Sequence, residues 1–244
     1  MSQQYDSTST GMEHKKQLLH TVYSEYSTWI SRFPLACHKG CASCCTQSVT
    51  ISSLEGELIF DFLSAQGREK WLLDKLARTV PGKSRSIITT NQFAEACFKH
   101  QEVDSDALGC WDFTPCVFLE DEACSIYEAR PFGCRSFGSL VRCTAGRAAE
   151  IAPIHLTVNT VFTQIVEHLS SDNGCWSTMM DILHSLVYKE DMMRKPHVLK
   201  ARPVPGFLLE PREMHVVGGL LQKLREQFSA MGGTSDLIDN LLAI

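Results

Sequence analysis

The chain has 244 residues, 44% of them apolar and 21% charged, with a formal net charge of −5. These are the proportions of a folded globular chain, and the acidic balance leaves no basic footprint for a nucleic-acid partner. No apolar run approaches the roughly 20 residues that cross a bilayer, and the polar opening lacks the apolar stretch of a secretory leader, so a cytoplasmic protein with no membrane partner is expected.

Met1 to Gly11 is rich in Ser, Thr and Gln and reads as disordered. Leu18, Leu19, Val22, Tyr26, Trp29, Ile30 and Phe33 then recur at helical spacing until Pro34 stops the pattern. A first group of cysteines follows at once, Cys37-x3-Cys41-x2-Cys44-Cys45. Ser52-x-x-Glu55 reads as a capping box, a hydroxyl and a carboxylate satisfying each other's free amides at a helix start. That helix buries Leu54, Leu58, Ile59, Phe62 and Leu63 and ends at Gly67. Trp71, Leu72, Leu73 and Leu76 mark a further helix before Pro81-Gly82 turns the chain. Residues 91–103 read as another, with Phe93, Ala94, Cys97 and Phe98 inward.

The stretch from Gly109 to Cys143 holds the second group, Cys116-x7-Cys124-x9-Cys134-x8-Cys143, and shows neither a helical nor a strand period. A segment without a hydrophobic face needs another source of order, and a bound metal supplies one. From Pro153 the pattern is helical again, with Val158, Val161, Phe162, Ile165 and Leu169 in one stripe ended by Asn173-Gly174. Trp176, Met179, Met180, Leu183 and Val187 form the next. Pro203, Pro205 and Pro211 make 200–211 an extended connector. Val216, Val217, Leu220, Leu221, Leu224 and Phe228 form a late helix broken by Gly232-Gly233, and 234–244 reads as a short terminal helix. The expected fold class is mainly α, helices around irregular cysteine-rich metal-binding loops with little or no sheet. The expected organisation is a disordered 1–11, a cysteine-cluster metal-binding domain over 12–150, and a helical region over 151–244 packed on it.

Eight of the eleven cysteines fall in the two groups, beside Gly40, Ser43, Glu120, Asp121 and Glu122, in polar sequence where a core thiol has no reason to be. In a reducing compartment such clusters are ligands more often than disulfides. The Cys41-x2-Cys44 spacing lets a tight turn present two sulfurs to one metal, as zinc and iron–sulfur loops both do. Neighbouring side chains diverge, so Cys44 and Cys45 suit two metal atoms better than one. That implies two four-thiolate sites with interleaved ligands, or a polynuclear cluster with further thiolates nearby. Lys39, Arg130, Arg135 and Arg142 lie close in sequence, either to offset thiolate charge or as ordinary solvated cations. Cys97 reads as a core residue, Cys175 as structural, and Cys110 as a reserve ligand for Cys37 or Cys143. His38 sits in the first group but is a poorer ligand for a soft ion than its neighbours. His155, His168, His184 and His215 read as ordinary helix histidines. No phosphate-cradling loop, nucleophile elbow or dinucleotide fingerprint is present, and no catalytic residue is assigned.

The run Cys124-Ser-Ile-Tyr-Glu-Ala-Arg-Pro-Phe-Gly-Cys134-Arg-Ser-Phe137, with Cys37-His-Lys-Gly-Cys41-Ala-Ser-Cys44-Cys45 and Pro115-Cys116-Val-Phe-Leu before it, resembles the YkgJ-type cysteine-cluster family. The resemblance spans Cys37 to Cys143 and leaves the chain beyond Pro153 uncovered. It implies a zinc- or iron-chelating domain with eight characteristic cysteines, here Cys37, Cys41, Cys44, Cys45, Cys116, Cys124, Cys134 and Cys143. The first spacing is x3 where x2 is also common in the family, which makes Cys37, and Cys143 at the trailing end, the weaker positions. A related cluster in flagellin lysine methylases brings methyl transfer in by analogy only. Within the run, Pro131 is expected to open a short helix whose positive end favours a thiolate at Cys134, and Tyr127 to pack or to donate to a sulfur.

The expected function is therefore metal binding by thiolates, as an iron–sulfur cluster protein with a redox or cluster-dependent role. The alternative is a zinc module without catalysis, and a cluster-containing methyltransferase-like enzyme stands behind both. Thiol–disulfide chemistry does not call for eight grouped cysteines. Expected partners are metal ions and a protein meeting the C-terminal helices.

Overall fold

The computed structural model describes residues 3–80, 83, 85–103, 109–144 and 146–232, with side chains from residue 11 onward. The Pro81-Gly82 turn and the helix expected over 234–244 lie outside the described residues. The apolar stripe from Leu18 to Trp29 belongs to α1 (Gln3–Ile30), which begins inside the segment expected to be disordered. Once such a stripe is nucleated, each further helical residue adds a hydrogen bond at little extra cost. Then come β1 (Thr50–Ser52), α2 (Ser53–Ser64), α3 (Glu69–Leu76), α4 (Thr90–Phe98), β2 (Leu119–Glu120), β3 (Ala123–Cys124) and α5 (Phe132–Ser136). The chain continues through α6 (Pro153–His168), β4 (Cys175–Thr178), α7 (Met179–Tyr188), β5 (Leu199–Lys200) and α8 (Pro211–Ala230). The fold is mainly α.

Its sheets are small. β4 lies between β1 and β5, antiparallel to both, with Thr50 opposite Thr178 and Trp176 opposite Leu199. All four residues of β4 are buried, so Cys175 and Trp176 stand on a central strand rather than at the helix start their spacing suggested. A run buried on both faces carries no period that separates strand from helix. β2 and β3 form a two-residue hairpin in which Asp121 and Glu122 both take positive φ, 48° and 62°. That is the mirror-image turn matching strand twist, built here without the usual Asn-Gly signal.

The helices enclose two hydrophobic clusters. One joins α1, α6 and α8 through Leu19, Tyr26, Val158, Phe162, Val217 and Phe228, and takes in Phe132 from α5. The other joins α2, α3 and α7 through Ile59, Leu63, Leu72, Ile182 and Leu183, and takes in Phe118 and Ile126. α2 approaches α7 so closely that a Cβ at Gly56 would lie 2.3 Å from the Ile182 side chain. The second cysteine segment is thus anchored in both clusters.

Helix α4 turns Asn91, Ala94 and Ala96 inward, while Phe93 and Phe98 are about two-fifths exposed, at 41% and 40%. Ala94 is inward as expected and Cys97 is half-buried, but Phe93 and Phe98 are not turned inward. Asn91 decides it: its amide donates to the Gln164 and Arg202 carbonyls (3.0 and 2.8 Å), and its backbone N–H to the Glu167 carboxylate (2.8 Å). A buried polar group with three partners outweighs two phenyl rings left half in water. The helix stops at Phe98, short of residue 103, where His100 adopts a left-handed φ of 52°. No helix among the described residues is long and apolar enough to cross a membrane.

Candidate metal centre

The first cysteine loop is two consecutive tight turns. Cys41 donates its N–H to the His38 carbonyl (3.0 Å) and Cys45 to that of Ala42 (3.0 Å). Gly40 sits at φ 96°, which an L side chain rarely adopts, and lets the first turn close. The second loop is stitched directly onto this one. Thr46 and Pro115 form an antiparallel bridge, Gln47 donates to the Thr114 carbonyl (3.1 Å), and Cys116 donates to the Cys45 carbonyl (3.0 Å). Cys45 and Cys116 are thereby neighbours although 71 positions separate them in the sequence.

Cys116 and Cys124 rest against the second hydrophobic cluster, which Phe118 and Ile126 enter as fully buried residues. Cys134 is carried by α5, whose start is fixed from below by Phe132. On the other side, Cys37 accepts a hydrogen bond from the Ser139 N–H (Sγ to N 3.2 Å), while Ala36 donates to the Ser139 carbonyl (2.8 Å). Ser139 is buried, and its hydroxyl takes the N–H groups of Val141 and Glu150. It ties the segment carrying Cys143 to that carrying Cys37.

The charges that Cys37 and Cys45 sense sort the thiols into two sets of four. Cys37 senses Cys41, Cys44 and Cys143; burial raises its pKa first, and these neighbours raise it further against the Ser139 hydrogen bond. Cys45 senses Cys134, Cys116 and Cys124. The vicinal pair joins the sets: interaction between the two thiols holds Cys44 well above and Cys45 below the ordinary thiol value. Cys44 is among the neighbours that Cys37 senses, whereas Cys45 senses Cys116, Cys124 and Cys134. Burial pushes Cys116 up to about 11 and raises Cys124 and Cys134. Cys134 thus runs opposite to the helix-dipole expectation. α5 is five residues long, and its first N–H already binds the Glu55 carboxylate, whose charge also raises the thiol.

One cavity of about 210 Å³ is lined by Cys37, Cys41, Cys44, Cys45, Cys116, Cys124 and Cys134, with Val49, Phe118, Ile126 and Met179 among its apolar walls. Cys143 lines a separate recess with Cys37 and Cys41. Among the described residues no three Cys, His, Asp or Glu side chains converge tightly enough to hold one ion as they stand. None of the described cysteines is disulfide-bonded. Cys110 forms a bridge with Arg85 and is not part of the thiol cavity. Cys175 is buried, with its Sγ 3.2 Å from the Met192 Sδ, and Cys97 is half-buried on α4. His38 is exposed, its Nδ1 3.1 Å from the Ala36 carbonyl.

The cations divide. Arg130 lies in the cavity wall with its guanidinium 3.8 Å from the Tyr127 ring centre, and its charge lowers the pKa of Cys124 and Cys134 against burial. Lys39, 5.3 Å from the same ring, acts likewise on Cys124. Tyr127 is therefore a platform for cations. Arg135 also borders the cavity but lies over Tyr23 at 4.6 Å, donating to the carbonyls of Arg130 and Glu128. Arg142 is exposed at the rim of the recess. Lys75, which lowers the Cys116 pKa, and Ser139 escaped the sequence reading. Lys75 is 41 positions from Cys116 and no local pattern links them, whereas the small-residue run Gly138-Ser139 beside Phe137 was a visible turn signal.

No protein-family model, no curated protein and no solved structure matches the chain.

Proposed function

We propose that this chain is a thiolate metalloprotein of the YkgJ type, most simply an iron–sulfur protein with a redox role. Seven thiols lining one cavity of about 210 Å³ carry the reading. That is a soft donor set gathered around a volume rather than a point, as a polynuclear cluster requires. Cys45, Cys116, Cys124 and Cys134 would hold the inner centre, and Cys37, Cys41, Cys44 and Cys143 the outer. Such a cluster, when bound, supplies one-electron transfer. The chain contributes the rest. Arg130, Lys39 and Lys75 offset the negative charge that gathered thiolates bring into a half-buried site. Val49, Phe118 and Ile126 give the cavity apolar walls beside the sulfurs. A reducing compartment such as the cytoplasm suits thiols kept as ligands. A protein partner would meet the C-terminal helices, where Leu156 on α6 and Met214 on α8 are exposed.

The four-and-four grouping favours a second reading, two closed four-thiolate zinc sites of structural character. Protein purified without oxygen decides between them. Iron with matching acid-labile sulfide and broad visible absorption is expected. Colourless protein with stoichiometric zinc selects the second reading, and protein with neither metal overturns both.

A further inference from the structure

α5 has five residues, Phe132–Ser136. A helix that short forms too few internal bonds to persist alone, yet it carries Cys134. Both of its ends are held by side chains from elsewhere in the fold. At its start, the Phe132 N–H donates to Glu55 Oε1 (2.7 Å). The same oxygen accepts the Tyr23 hydroxyl (2.7 Å), and Oε2 accepts the Ser52 N–H (2.9 Å). At its end, the Ser136 carbonyl accepts from the Asn159 amide (3.0 Å) and, at longer range, from the Tyr26 hydroxyl (3.4 Å), which also donates to the Asn159 oxygen (2.6 Å). Between these ends the Phe132 ring is wedged against Tyr26 (4.8 Å, edge-on) and Phe162 (6.1 Å, stacked).

Glu55 is 2% exposed. A capping box accounts for its bond to Ser52, but not for the other two donors aimed at it. A carboxylate accepts on both oxygens; an amide of the same shape accepts on one and presents N–H groups on the other. Three donors converging on one buried side chain therefore select Glu over Gln.

We propose that Glu55 and Asn159 are positioning residues that clamp α5 at its two ends and so fix Cys134 in the inner thiol set. The assignment of Cys134 as a ligand rests on the metal-centre reading above; the clamp itself is a property of the chain. Losing it lets α5 lift without unfolding the helices beneath.

The test compares wild type with Glu55→Ala, Asn159→Ala and Ser52→Ala in the full chain, in metal-free protein and after loading with Co²⁺ as the probe. Residue-resolved alkylation read by mass spectrometry reports each thiol. In metal-free protein, Glu55→Ala and Asn159→Ala should each speed Cys134 alkylation roughly tenfold, the local opening expected when a bond holding one end of α5 is lost. Cys37 and Cys143 should keep their wild-type rates. Ser52→Ala weakens the start of α2 without touching the Phe132 bond, and should leave Cys134 unchanged. With cobalt, the two clamp variants should lose part of the thiolate-to-metal charge-transfer absorption per bound ion. Equal acceleration at all cysteines, no acceleration at Cys134, the same acceleration in Ser52→Ala, or an unaltered cobalt spectrum would each overturn the clamp. Wild type showing no cobalt–thiolate absorption would instead overturn the metal centre, and the metal-free rates would still judge the clamp.

Discussion

The two thiol sets are built on different foundations. The inner one, Cys45, Cys116, Cys124 and Cys134, hangs from three fully buried side chains, Phe118, Ile126 and Phe132, sunk into the two hydrophobic clusters. The outer one, Cys37, Cys41, Cys44 and Cys143, is held by turns and by Ser139, with Cys44 exposed to solvent. Hydrophobic anchors hold the inner sulfurs in place, so on the proposed metal-centre reading binding there would have less ordering entropy to overcome. The outer sulfurs depend on a few hydrogen bonds near the surface. One centre is therefore expected to be robust and the other labile.

The largest expected effect comes from removing an anchor. Phe132→Ala should destabilise the fold by about 3–5 kcal/mol, as deletion of a buried phenyl ring does, and should expose Cys134 and Cys124 to alkylation ahead of Cys37. Urea denaturation and thiol mapping read both. Equal loss at the two sets would mean that the anchors serve the fold and not the site. Next comes the bridge between the sets. Cys45→Ala is expected to strip metal from the inner set and Cys44→Ala from the outer, each leaving the other partly loaded, as elemental analysis with thiol mapping would show. Loss of all metal from either variant would replace two centres by one. Ser139→Ala leaves the Val141 and Glu150 N–H groups without their acceptor, at a cost of about 1–3 kcal/mol. It should speed metal release from the outer set alone, followed by transfer to a chromogenic chelator.

The smallest effect concerns the end of α1, from which the outer loop departs. His155 is buried against Trp29 and Phe33 (ring centres 5.4 and 4.0 Å), and burial lowers its pKa below the ordinary 6.5. His168, whose Nδ1 accepts the Val204 N–H (3.1 Å), is lowered in the same way. Below pH 6.5 the unfolded chain takes up protons that the folded chain refuses, so stability is complete above that value and falls as the pH drops beneath it. The melting temperature should fall between pH 6.5 and 5, and His155→Phe should flatten part of that slope. A slope unchanged by the substitution would remove His155 as its source.

Much of the frame was legible because a helix face announces itself by period. The α1, α6 and α8 stripes named the residues that fill the first cluster, and Ser52 with Glu55 marked the start of α2. Legibility failed where burial was two-sided, as at Cys175 and Trp176 on β4, and where one polar residue overrode an apolar pattern, as Asn91 did on α4. At the site, the two cysteine groups were plain from spacing. Which thiol joins which set was not, because Cys44 and Cys45 are adjacent in the chain yet face different neighbours. Glu55 was visible only as half of a capping box; its bonds to Tyr23 and Phe132 cross 32 and 77 positions.

Composition and spacing alone determined that thiols are grouped in two fours and that amphipathic helices surround them, since both depend on residues close together in the chain. The tertiary structure decided the sorting of the thiols, the cations that face them and the clamp on α5. Those are contacts between remote segments, fixed by the two hydrophobic clusters that bring the segments together, and no local period encodes them.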